Sequence, residues 1–147
     1  MNGITRFATG FPVTMSQSGD RSLVGTGGTD VPDFVGPLAI QNPREGGPRF
    51  PNQYFSRDGF RSGPLGGFGN ANRRFFHGPG FNNWDFALHK NTRLRESINL
   101  QFRAEFFNFF NHAQFNNPVG NFTNGRFGYV TSAKDPRIGQ FSLKFLW

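Results

Sequence analysis

Cysteine is absent from the chain. Disulfide frameworks, thiolate metal sites, CxxC redox chemistry and thiol nucleophiles are excluded in one step. The absence does not fix a compartment, because many exported proteins also lack cysteine. Long apolar runs are missing too, and none approaches the ~20 residues of a spanning helix. The opening MNGITRFATGFPVT has no charged stretch followed by an apolar one, so no export signal is expected within these residues. An export-dependent role then requires sequence upstream. Aliphatic residues are scarce: hydrophobic content is 35%, and aromatic residues alone make 17%.

What is present is glycine, proline and phenylalanine. Of 147 residues, 20 are Gly, 10 are Pro and 21 are Phe. Gly and Pro at this level argue against an ordinary helical domain, since both break helices. The apolar surface is built largely from flat rings. Sixteen basic residues against nine acidic ones give a net charge of +7. That balance can suit nucleic acid or another anionic surface, but the cations are scattered. Only Arg73–Arg74 and the Arg93/Arg95 pair come close together.

Periodicity divides the chain into three zones. Residues 3–17 alternate, with Thr5, Phe7, Thr9, Phe11, Val13 and Met15 on one side, which predicts a strand over 3–16. Gly10 and Pro12 suggest a bend or an end near a sheet rim. Residues 18–80 carry repeated turn signals and are expected to form one long irregular external loop, folded on itself around its many rings. Residues 81–147 hold the clearest pattern. In 83–92, Trp84, Phe86 and Leu88 oppose Asp85 and His89. A polar turn, RLRES, is expected at 93–97. In 97–108, Ile98, Leu100, Phe102, Ala104 and Phe106 oppose Asn99, Gln101, Arg103 and Glu105. In 137–147, Phe141, Leu143, Phe145 and Trp147 oppose Gln140, Ser142 and Lys144. A helix over 98–107 is rejected, because a 3.6-residue period would set Arg103 and Glu105 among the apolar residues.

These strands are about the ~9–11 residues that a tilted strand needs to cross a bilayer. A soluble sheet would need a second layer over the ring-rich face, and no segment supplies one. In a membrane barrel the faces invert: rings meet lipid and charged groups meet a wet lumen. The predicted lumen set is Asp85, His89, Asn99, Gln101, Arg103, Glu105, Gln140, Ser142 and Lys144. The predicted lipid set is Trp84, Phe86, Leu88, Ile98, Leu100, Phe102, Phe106, Phe141, Leu143 and Phe145. The fold expectation is all-β: an antiparallel meander of about four strands from a transmembrane barrel. Composition alone leaves a soluble β domain and a basic disordered chain open beside it.

The stretch GPGFNNWDFALHKNTRLRESINLQFRAEFFNFFNHAQFNNP, residues 78–118, resembles the C-terminal barrel of TonB-dependent outer-membrane receptors. The likeness is to the Oar-like group, whose members carry a carboxypeptidase-regulatory-like domain ahead of plug and barrel. RAEFFNFFNHAQF resembles that group's penultimate strand, and ATGFPVTMSQSGD resembles the strand and loop start before its last long external loop. Trp147 in FSLKFLW is similar to the terminal aromatic signal read by the barrel-assembly machinery. The resemblance implies an outer-membrane location, a transport role, and as partners outer-membrane lipid, the rest of the barrel, the plug, the assembly machinery and TonB. About four strands are far fewer than the ~22 of a transporter barrel. The expectation is therefore a C-terminal fragment over 1–147 without signal peptide, plug or TonB-contacting segment, non-functional alone, with 18–80 as external loop and 81–147 as the last three strands. A small basic β-rich module binding nucleic acid or anionic polymer is the alternative.

Other motifs carry less. His77, His89 and His112 lie in different segments, so no metal site is expected. Asp85 and Glu105 could form an acid–base pair, but cross-strand lumen pairing with Arg103 and His89 is the simpler reading, at ~0.2–1 kcal/mol per pair. No GxSxG occurs, so serine catalysis has no support and no enzyme or cofactor is expected. GTGGTD at 25–30 lacks GK[ST] and reads as a loop. Arg73-Arg74-Phe75-Phe76 interleaves base and ring, as single-strand binders do. One such patch reads as external loop, and no nucleic-acid partner is expected. The sequon Asn121-Phe122-Thr123 has meaning only on a eukaryotic secretory route.

Overall fold

The alternating runs become strands that pair in chain order. The computed structural model describes residues 1–25, 30–45, 51–74 and 76–147. Its strands are β1 (Asn2–Ala8), β2 (Asp33–Phe34), β3 (Phe60–Arg61), β4 (Phe81–Arg95), β5 (Ile98–Phe107) and β6 (Ile138–Leu146). A four-stranded antiparallel sheet has the order β1-β4-β5-β6. The expected all-β meander is present, and 98–107 is a strand. Residues 26–29 of GTGGTD, Phe50 of the long loop and Phe75 of the Arg-Arg-Phe-Phe patch lie outside the described residues.

Two boundaries differ from expectation. The turn predicted at 93–97 shrinks to Glu96–Ser97, because β4 continues through Arg95. The register shifts between Arg93 and Arg95, so Arg95 faces Ile98. The Arg93 guanidinium closes the turn by donating to the Glu96 carbonyl at 3.0 Å. The strand predicted over 3–16 instead ends at Ala8. A Cβ on Gly10 would lie 1.8 Å from the Gly78 carbonyl oxygen, so only glycine permits that close backbone approach. Pro12 then removes a ladder donor. Alternation persists beyond it, but in a different body. The Val13 and Met15 amides donate to Phe76 and Arg73 carbonyls at 3.0 and 2.8 Å, and both side chains are fully buried.

The chain divides into two compact units. The first comprises Met1–Ala8, Gly80–Gln114 and Lys134–Trp147, and holds the sheet. The second comprises Thr9–Pro79 and Phe115–Ala133. This loop unit has little regular structure: the β2–β3 pair and a 3-10 turn at Arg57–Gly59. Its core is aromatic. Phe55 contacts Phe76, Phe127 and Phe60 with centroids 5.1, 5.0 and 5.8 Å apart, the first two edge to face. Val13, Met15 and Ala71 complete the cluster. Such ring pairs add about 0.5–1.5 kcal/mol each beyond area burial. Phe76 is buried here, so it is core, not a stacking platform for bases.

Asp30 organises one end of this unit. Its carboxylate accepts from the Arg21 N–H (2.7 Å), the Ser22 N–H (3.0 Å) and the Ser22 hydroxyl (2.6 Å). The Ser22 hydroxyl bond is the leading cause that holds the Asp30 carboxyl below its ordinary 3.8, with the two amides adding to it and burial opposing. A carboxylate lowered in the folded state contributes stability that is complete above the unfolded value and is lost as pH falls through the folded one. The Arg21 and Ser22 amide shifts, whose N–H groups donate to this carboxylate, are therefore expected to titrate with a midpoint below 3.8. Ser22→Ala should shift that midpoint upward. An unchanged midpoint in an NMR titration of the Ser22→Ala chain would show that the hydroxyl is not the cause.

Candidate functional site

The sheet has two chemically distinct faces, set by register. Opposed residues share a face in an antiparallel pair. Phe86 faces Phe106, Leu88 faces Ala104, Phe102 faces Leu143 and Leu100 faces Phe145. All ten residues of the predicted lipid set fall on this side, at even positions of β4 and β5 and odd positions of β6. Much of this face stays uncovered: Phe141, Leu143 and Phe145 are 68%, 58% and 52% exposed, while Phe86 and Phe106 are half-buried. Lys90, opposite Phe102, is the one charged side chain on this face between Asn82 and Leu94 of β4.

The other face carries His89 opposite Arg103, Asn91 opposite Gln101, Arg103 opposite Ser142, Gln101 opposite Lys144 and Glu105 opposite Gln140. Glu105 is its hub. Its carboxylate lies 3.7 Å from His89 Nε2 and 3.9 Å from Arg103 Nε, and accepts from Gln140 Nε2. Gln101 Nε2 donates to Asn91 Oδ1 at 3.1 Å. All nine residues of the predicted lumen set lie on this side. Ile4, Phe107, Ile138 and Leu146 share it, so the polar band is central and not continuous to the strand ends.

Asp85 lies on the polar face but does not pair with Glu105, whose register partner is Ala87. Its Oδ1 accepts from the Asn108 backbone N–H (3.0 Å) and from Asn83 Nδ2 (2.8 Å). This belongs to a clamp that ends β5. Asn108 and Asn111 adopt left-handed φ values of 50° and 53°, a region asparagine tolerates better than most residues. Asn108 Oδ1 accepts the His112 N–H at 2.9 Å, and its Nδ2 donates to the His112 carbonyl at 3.0 Å. Asn111 Oδ1 takes the Arg137 N–H at 3.0 Å, just ahead of β6. Buried Gln114 accepts the Asn82 N–H at 2.9 Å and donates to the Asn82 carbonyl, at the start of β4. The FFNFFNHAQF motif thus ties the ends of three strands together.

The same turn extends the aromatic surface. Phe7 meets Trp84 edge to face at 5.8 Å, and Trp84 meets Phe110 at 5.7 Å. Phe110 meets Phe109 at 5.3 Å, Phe109 meets Phe86 and Phe106, and Phe106 meets Phe141 at 5.6 Å. One chain of rings crosses all four strands. Phe109 and Phe110 were invisible to alternation, because the motif breaks the period-2 pattern where they stand. This ring belt lies at the sheet end from which both long connections leave, after Ala8 and after Phe107. The opposite end has only the Glu96–Ser97 turn and Trp147, which is 92% exposed. Of the histidines, His89 sits on the polar face, His112 in the clamp, and His77 in the loop unit, where its carbonyl accepts the Tyr54 hydroxyl.

Strand lengths of 10 and 9 residues in β5 and β6, a largely uncovered ring-bearing face and a belt of rings at the long-loop end are the features of a bilayer-crossing sheet. The chain belongs to the outer membrane beta barrel domain family, which it matches over residues 1–140. Its location is accordingly the cell outer membrane. No curated protein and no solved structure matches it. Within this family the soluble-sheet and disordered readings of the composition fall away.

Proposed function

We propose that the chain forms the closing wall of a TonB-dependent receptor barrel, with the Glu105 face toward a wet lumen and the ring-bearing face toward lipid. The clamp at Asn108–Gln114 is the observation that carries this reading. It gives a structural task to the motif RAEFFNFFNHAQF, through which the sequence resembles the penultimate strand of the Oar-like group. The asymmetric ends support it too, since such barrels have short periplasmic turns and long external loops. In this role the polar face contributes lumen surface rather than catalysis, and uptake depends on plug and TonB contacts supplied by other parts of a receptor.

The test is a chimera in which residues 1–147 replace the last four strands of a receptor of that group. It should assemble in the outer membrane and support uptake only in cells that have TonB. Gln101→Cys, Arg103→Cys and Glu105→Cys should react with a water-borne maleimide. Leu100→Cys, Phe102→Cys and Ala104→Cys should react only with a lipid-soluble probe. Equal labelling of both sets from water would overturn the face assignment. Correct labelling without uptake would leave a barrel wall but refute the receptor.

A further inference from the structure

The loop unit contains an open depression of about 360 Å³ lined by Pro51, Asn52, Arg126, Tyr129, Val130 and Thr131, in which Val130 forms the buried floor and Asn52, Arg126 and Thr131 are exposed. Its walls are fixed by backbone. The Val130 N–H donates to the Asn52 carbonyl at 2.9 Å, and Asn52 holds a left-handed φ of 62°. Asn124 Oδ1 accepts the Arg126 N–H at 2.9 Å, and the Tyr129 N–H donates to the Arg126 carbonyl at 3.0 Å. Two successive turns thus place Arg126 and Tyr129 on one rim. Between them, Gly128 (φ 86°) passes so close to Phe55 that a Cβ would lie 2.2 Å from its carbonyl oxygen. The turn is seated directly on the aromatic core.

The polar side chains of this depression are not spent on the protein. The Arg126 guanidinium, the Tyr129 and Thr131 hydroxyls and the Asn52 amide make no hydrogen bond or ion pair among the described residues and are open to solutes from the solvent side. Arg57, by contrast, lies 4.2 Å over the Phe122 ring and donates to the Asn124 carbonyl. Among the described residues no carboxylate lines the depression. A guanidinium offers a planar fork that matches carboxylate and phosphate oxygens, and hydroxyl and amide donors can take the remaining lone pairs. The chain's +7 charge raises the local concentration of anions around it.

We propose that this depression binds small solutes bearing an oxyanion, with Arg126 gripping the carboxylate or phosphate group and Tyr129, Thr131 and Asn52 contacting the body of the molecule. The site is independent of the sheet's orientation in the membrane, so its test stands apart from the receptor reading.

The full chain is folded in a non-ionic maltoside detergent at about 0.15 M salt, where the Debye length is near 8 Å and diffuse charge effects are small. Citrate, inorganic phosphate and neutral glycerol are titrated while backbone amides are followed by NMR. Saturable shifts confined to 51–52 and 125–131 are expected with at least one anion and not with glycerol. The anion that binds more tightly identifies carboxylate or phosphate as the natural group. Arg126→Gln should weaken binding by about tenfold or more, the usual scale for loss of a charge-assisted bond. Arg126→Lys should fall between, since it keeps the charge but loses the fork. Lys144→Gln, on the sheet, should change nothing. Absence of saturable shifts with both anions, shifts outside the depression, an equal response to glycerol, equal binding by Arg126→Gln and the parent, or weakened binding by Lys144→Gln would each overturn the proposal.

Discussion

Phe102→Arg is expected to destabilise a complete barrel carrying this sheet by about 2–4 kcal/mol, the cost of a cation in hydrocarbon near the midplane. Phe102 sits centrally on the ring-bearing face, between Lys90 of β4 and Leu143 of β6, and no part of the described sheet unit covers it. The neighbouring Arg103→Gln should cost no more than about 1 kcal/mol. It removes one exposed contact at 3.9 Å from Glu105, which keeps His89 and Gln140, and exposed pairs contribute about 0–1 kcal/mol. The measurement is urea unfolding in lipid vesicles, comparing both variants with the parent. The contrast between adjacent residues is the informative quantity. Equal losses would mean that the two faces see the same medium.

Phe55→Ala should cost about 3–5 kcal/mol in the loop unit, as large-to-small changes at buried rings do. Phe55 is fully buried and its ring touches Phe60, Phe76 and Phe127, so the cavity left behind is lined by rings that cannot easily close over it. Phe68→Ala, at a ring that is 61% exposed, should stay within about 0.5 kcal/mol. Hydrogen exchange is the fitting readout, because it resolves local opening. The amides of Val13, Met15 and Gly128, all bonded within this unit, should lose protection in Phe55→Ala. If protection there is unchanged, the rings are not what holds the loops together.

Strict alternation makes a sheet face legible. In β5 every second residue is apolar over the whole strand, and a one-residue slip would exchange the faces, so the sequence itself contains the register logic. β4 was legible in kind but not in extent, since Arg93 to Arg95 look like a turn and become strand through a bulge. The polar hub was partly legible. Glu105, Arg103 and His89 could be placed on one face by counting, whereas the bond from Gln140 needs β6 to lie beside β5.

Alternation also misled where it was shared by two bodies. Thr5 to Met15 keep one period, but the first half pairs with β4 and the second enters the loop core. Only a contact between residues distant in sequence, Gly10 against Gly78, decides where the change occurs. The clamp was illegible for a related reason. Asn108, Asn111 and Gln114 act through backbone groups of Asn82, His112 and Arg137, and a backbone amide has no letter in the sequence.

The sequence alone determined the class of structure: period-2 runs of bilayer length, rings against charges, turns of glycine and proline between them. Those features follow from side-chain chemistry and backbone geometry within a few residues. Tertiary structure decided what the loops are. Residues 18–80 read as one irregular connection, yet with 9–17 and 115–133 they close around Phe55 and shape an open depression beside Arg126. No local pattern announces such a core, because its rings meet across tens of residues and are held by bonds between backbones that only the folded chain brings within reach.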